Sequence, residues 1–179
     1  MKRWLMRAVF LLPLVLLGCA SMTAKECKVA NWGEVGLRDG LGGESLSRLN
    51  DLVKDCAEAG VSVNTPIYLA GRDRGLITYC QLDNAARLGL AGRAYLGSCP
   101  APVNGEFRRR FDLGREVYDA RQQVQRLESR RYSLEKKLKD AESDEARKEA
   151  RSELARLDRD YRRARDRVRD AEWTFDRMR

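Results

Sequence analysis

From Ala150 to Met178, small and apolar residues return at alternating spacings of four and three: Ala150, Leu154, Leu157, Tyr161, Ala164, Val168, Ala171, Phe175 and Met178. An earlier series keeps the same alternation through Val117, Ala120, Val124, Leu127, Leu134, Leu138 and Ala141, with Arg131 in one core-type position. No other feature restricts the fold as tightly. This period places a narrow stripe along an α-helix, and such a stripe is stable only when it packs against another. The two series are out of phase. Extending the first would bring Glu145, Lys148, Ser152, Ala155 and Arg159 onto the seam, four of the five polar, so the pattern calls for two helices with a break at Glu142-Ser143-Asp144. Ser143 or Asp144 would cap the second helix, and Glu145 would favour its first turn. In an antiparallel hairpin Val117 would face Val168, Val124 would face Tyr161, and Leu134 would face Ala150. Phe107 and Phe111 would meet Trp173, Phe175 and Met178 at the base. One long helix pairing with a second copy of itself is the alternative.

Composition divides the chain at the same place. Residues 106–179 hold one glycine, no proline and no cysteine, with 23 basic against 18 acidic residues. Residues 19–105 are glycine-rich and neutral, with nine basic and nine acidic residues. The arginine-dense YRRARDRVR (161–169) distributes its guanidinium groups around the whole helix, which suits a solvated coiled-coil face carrying i,i+4 pairs such as Asp158–Arg162, Arg162–Asp166 and Glu135–Lys139. Nucleic acid is not an expected partner, because the N-terminus reads as an export signal.

That signal begins with Lys2, Arg3 and Arg7 and continues through the apolar run Ala8–Leu17. The run fits a signal-peptide core and falls short of the roughly 20 residues that span a bilayer. Leu16-Leu17-Gly18-Cys19 resembles a bacterial lipobox, with Leu17 bulkier than the usual small residue. It implies cleavage after residue 18 and lipidation of Cys19. Ala20, rather than Asp, then implies sorting to the outer membrane, with the chain facing the periplasm.

Four cysteines remain: Cys27, Cys56, Cys80 and Cys99. An even number in an exported chain reads as two disulfides with three possible pairings. If successive helices alternate in direction, Cys27 lies near Cys56, which favours Cys27–Cys56 and Cys80–Cys99. The chain has no histidine, and the cysteines lack the paired spacing of zinc sites, so neither a metal nor a cofactor is expected.

Thr65-Pro66 reads as a helix start, which makes PIYLAGRDRGLITY a helix with Tyr68, Gly71, Gly75 and Tyr79 on one face. Trp32, Gly36, Gly40 and Gly43 repeat the arrangement, as do Ala85, Gly89, Gly92 and Leu96. GLRDGL (36–41) and GRDRGL (71–76) are near-copies. Each helical glycine costs about 1 kcal/mol relative to alanine, so a glycine stripe is expected only where backbones approach closely. Between the first two stripes, Leu46, Leu49, Val53 and Cys56 mark an amphipathic helix ended by Gly60. A β-hairpin reading, with the glycines as turn residues, is the alternative. The expected architecture is all-α: signal 1–18, lipidated linker 19–26, disulfide-stapled helical head 27–104, and coiled-coil hairpin 105–179 with arms at about 106–141 and 144–178.

Trp32, Gly36, Asp39 and Gly40, then Cys56, Gly60 and Val61, then Y-x2-G-R-x2-G-L-x2-Y-C from Tyr68 to Cys80 and G-x2-G-x2-Y-x3-C-P from Gly89 to Pro100, with Phe107 and Gly114 beyond, form an ordered set. In these motifs residues 27–115 resemble a domain family of unknown function found in Gram-negative lipoproteins. Leu52 and Ala85 depart from the family pattern, which carries histidine and glycine there. The resemblance implies an envelope address and a helical, often coiled-coil tail, and it implies no reaction.

The functional expectation is therefore a lipid-anchored structural or interaction protein. It would meet an envelope protein, or a second copy, through residues 106–178. The alternative is a head that binds a glycan or peptide in a groove lined by Trp32, Asp39, Tyr68, Arg72, Asp73 and Tyr79. A third reading pairs Asp39 with Asp73 for glycan hydrolysis.

Overall fold

The computed structural model describes residues 22–178. The signal segment and Cys19 lie outside the described residues. Seven helices follow one another: α1 (Ala24–Val29), α2 (Trp32–Gly42), α3 (Ser47–Glu58), α4 (Thr65–Tyr79), α5 (Leu82–Leu90), α6 (Ala101–Lys139) and α7 (Asp144–Met178). No strand occurs among the described residues, so the glycines are not hairpin turns.

Local chemistry sets most of the helix starts. Thr23 and Glu26 bond each other's backbone N–H in a capping box that opens α1, inside the stretch expected to be a linker. Asn31 and Asn64 accept from the first free N–H groups of α2 and α4. The cap of α4 is therefore Asn64, one residue before the expected Thr65. Ser143 accepts from Ala146 N–H at 3.1 Å and caps α7.

In the head, α2 and α4 lie side by side. A β-carbon at Gly36 or Gly40 would overlap the carbonyl of Tyr68 or Arg72, and one at Gly75 would lie 2.6 Å from the Leu41 nitrogen. Along the contact, residue numbers on both helices rise together, so the two helices run parallel. Their offset is the one that separates GLRDGL from GRDRGL, and the near-copies thus pack on each other. A parallel pair needs a crossover, and residues 43–64 supply it, with α3 on the way.

A second close pair joins α5 to α6, where a β-carbon at Gly114 would lie 2.6 Å from the Ala86 carbonyl oxygen. Gly43 and Gly92 have φ near +70° (68° and 67°) just past α2 and α5, and aromatic rings of Tyr79 and Tyr118 cover them. The expected stripes therefore end earlier than their sequence spacing suggested, and Leu96 lies exposed in the following loop.

Two clusters fill the head. Val35, Leu52 and Tyr68 form one, with Trp32 and Leu49 packed against them. Leu76, Tyr79, Cys80, Ala85, Cys99, Phe107 and Phe111 form the other. Leu52 and Ala85, the two departures from the family pattern, are fully buried. The disulfides are Cys27–Cys56 and Cys80–Cys99.

The hairpin is antiparallel, and α6 serves both parts. Its first turns belong to the head, which is why Phe107 and Phe111 face Tyr79 and Tyr95 rather than the end of α7. Trp173 is 60% exposed, with Arg177 over its ring, and Met178 is also exposed. Val117 clusters with Ala171 and Phe175, one turn beyond the expected Val168. Further out, Leu127, Leu134, Leu157 and Ala164 form the seam, with Val124, Leu154 and Tyr161 packed against it. Arg121 bonds Glu172, Tyr161 bonds Glu128, and Lys137 pairs with Glu153 across the arms.

Candidate functional site

The six head residues expected to line a groove do not share one surface. Tyr68 and Tyr79 are buried in the two head clusters, and Trp32 is half-buried against Val35 and Tyr68. Arg72 is 6% exposed. Its Nη2 donates to the Glu44 carbonyl at 2.8 Å, which ties α4 to the loop before α3, and its Nε has no hydrogen-bond partner. Asp73 is exposed on the outer face of α4 and makes no ion pair among the described residues. Asp39 accepts the Tyr68 hydroxyl at 2.7 Å. Neither aspartate pairs with Arg38, Arg72 or Arg74.

Electrostatics follow from this packing. Burial, then the hydrogen bond to Asp39, holds the Tyr68 phenol well above its ordinary range. Burial also raises Tyr79, with the neighbouring Tyr95 and Glu44 adding to it. On the surface, Arg109 and Arg110 both donate to Glu106 and pull its carboxyl down to about 2. No group of three or more His, Cys, Asp or Glu among the described residues is placed to hold a metal ion.

Two kinds of concavity remain. In the head, a groove of about 520 Å³ beside Met22 is edged by Val29, Val35, Arg38, Asp39 and Arg48. Asp39 is the one residue of the six that reaches it. On the hairpin, a groove of about 630 Å³ runs between the arms, floored by Val124 and Val168 and rimmed by Arg121, Arg162, Arg165 and Arg169. A second, of about 730 Å³, lies on the opposite flank and is floored by Ala120 and Ala171.

None of the three i,i+4 pairs expected on the hairpin, Asp158–Arg162, Arg162–Asp166 and Glu135–Lys139, forms. Asp166 bonds Arg169 rather than Arg162, and Glu135 bonds Arg131 rather than Lys139. Asp158 has no ion pair with Arg162, and among the described residues neither Arg162 nor Arg165 has a carboxylate partner. The sequence placed Arg162 in pairs with Asp158 and Asp166 and did not set Arg165 apart from the rest of the arginine-dense face. The signal that could have found them is that they share a flank with Val124 and Val168, two seam positions held by small β-branched residues.

Residues 31–116 match the model of a family described as protein of unknown function (DUF2799). The match ends inside α6, just past Gly114. No curated protein and no solved structure matches the chain. Among the described residues no helix is long and apolar enough to cross a membrane.

Proposed function

We propose that this protein is a lipid-anchored interaction protein of the outer membrane, held by diacylglycerol and palmitate on Cys19 and presenting the α6–α7 hairpin to a protein partner in the periplasm. The observation that carries this reading is the use the fold makes of its motif residues. Tyr68, Arg72, Tyr79 and the glycines Gly36, Gly40, Gly71, Gly75, Gly89 and Gly114 are taken up in packing helices, which leaves the hairpin as the long open surface. The lipobox at Leu16-Leu17-Gly18-Cys19 supports the address. Cys19 and Met22 are three positions apart in the sequence, a span of at most roughly 10 Å, so a chain lipidated at Cys19 would hold its head near the membrane, and the hairpin, roughly 50 Å long at 1.5 Å per residue, would offer the longer surface.

The test is a shortened hairpin. Cutting at Gly105 would strip Phe107, Phe111 and Gly114 from the head, so the deletion must lie farther out, removing residues 127–157 and closing the arms with a short turn. Crosslinking in intact envelopes should give partner adducts with the full chain and none with the shortened one, at equal abundance. Adducts that survive the deletion would move the function to the head. For the anchor, palmitate labelling should require Cys19, and Cys19→Ser should release the chain to the soluble periplasmic fraction. Membrane retention of that variant would refute the anchor.

A further inference from the structure

We infer that the groove floored by Val124 and Val168 is a docking site for an acidic amphipathic helix of a partner protein, which would lie along α6 and α7 as a third strand. The inference rests on the reading of the hairpin as the partner-binding arm, and it names the surface and the chemistry.

The floor comes first. In a heptad seam Val124 and Val168 should be as covered as Leu127, Leu134 and Leu157, which are buried. Both are only half-buried, and both open onto the same flank. Two arms alone do not cover these positions; a third helix laid in the groove would, by the same knobs-into-holes contact.

The rim decides the charge of the occupant. Glu172 already takes Arg121 at 2.6 Å, and Asp166 takes Arg169 at 2.8 Å. Arg162 and Arg165 stand on the same face of α7 and have no carboxylate partner among the described residues, so the groove presents two unanswered positive charges beside an apolar floor. The opposite flank differs: Asp112, Glu116, Asp119 and Asp170 outnumber its three arginines, and its floor is Ala120 and Ala171. A helix offering two carboxylates one turn apart, about 5.4 Å in rise, and branched apolar side chains between them would match the first flank alone. Arginine favours such a partner because its fork binds carboxylate in a fixed geometry.

The test uses the full chain in non-ionic detergent micelles and two fluorescein-labelled three-heptad peptides. Both have leucine at the seam positions; one carries glutamate and the other lysine at the flanking positions. Anisotropy should show the glutamate peptide binding about tenfold more tightly at low salt, the gain expected of two exposed pairs acting together. R162E/R165E should reverse that preference, R162Q/R165Q should abolish it, and R126E/R167E on the opposite flank should leave it within about twofold. Circular dichroism of each variant checks that the helices persist.

Equal binding of the two peptides would overturn the inference, as would an equal loss from the opposite-flank variant. Displacement of the glutamate peptide by micelles doped with phosphatidylglycerol would make the occupant a lipid headgroup. Sedimentation showing an arginine-dependent dimer would make it a second copy. If R162E/R165E leaves the hairpin-dependent crosslinks in envelopes unchanged, this groove fails while the hairpin's partner-binding role stands.

Discussion

In the α2–α4 pair the helices meet where side chains are missing; in the distal α6–α7 pair they meet through side chains alone. The first contact is backbone against backbone, with carbonyls of Tyr68, Arg72 and Leu37 seated on glycines. Such a contact tolerates no added atom, but it is rich in dispersion and in weak Cα–H···O interactions. The second interlocks Leu127, Leu134, Leu157 and Ala164, and it can lose a side chain and still close. The head is thus rigid and specific over a short length, while the hairpin is forgiving and long.

The largest effect should come from filling a glycine contact. Gly36→Ala would drive a methyl group into the Tyr68 carbonyl and should cost about 3 kcal/mol or more, since the obstacle is backbone and cannot rotate away. Urea titration followed by Trp32 fluorescence measures it. A loss under about 1 kcal/mol would mean that the helices simply slide apart. Next, Cys80→Ser with Cys99→Ser opens a loop of 19 residues and should cost about 3 kcal/mol, felt in the head and in the first turns of α6. Leu157→Ala, in the seam, should cost about 2–3 kcal/mol. Hydrogen exchange should place that loss in the distal arms, with α2 and α4 protected as before.

A smaller effect should appear with pH. The folded chain holds the Tyr68 and Tyr79 protons more tightly than the unfolded chain, whose phenols titrate near the ordinary 10.0. Their contribution to stability is therefore complete below that value and declines as the pH rises above it. Urea midpoints should fall from pH 9 to pH 11, and Tyr68→Phe should flatten the fall. The smallest effect should come from Gly105→Ala. Gly105 sits in α6 with no neighbour within 4 Å of a β-carbon, so alanine should stabilise the chain by about 0.5–1 kcal/mol. The opposite signs expected at Gly36 and Gly105 separate a packing glycine from an idle one.

Much of this fold was legible because the residues that build it speak through spacing. Alternating fours and threes gave both arms and their break at Ser143, and paired glycines gave α2, α4 and their contact. The pairings Cys27–Cys56 and Cys80–Cys99 followed from helix direction, although α1, which carries Cys27, went unread because it is held by a single capping box. What spacing does not carry is partition. Nothing in the heptads of α6 reveals that Phe107 and Phe111 face the head, since a face is assigned by the neighbour that arrives, here α5 through Gly89 and Gly114. The candidate site failed to assemble for a related reason: aromatic and charged residues beside packing glycines are drawn into the core with them, as Tyr68 and Arg72 were.

The most direct test of the division of labour is a photocrosslinking scan in intact envelopes. A benzophenone amino acid would be placed at Gln125 on the hairpin groove and, in separate chains, at Asp73 or Ile77 on the exposed face of α4. The account predicts adducts at one discrete mass from position 125 and none from the head positions. Adducts from position 73 or 77, with position 125 silent, would contradict it.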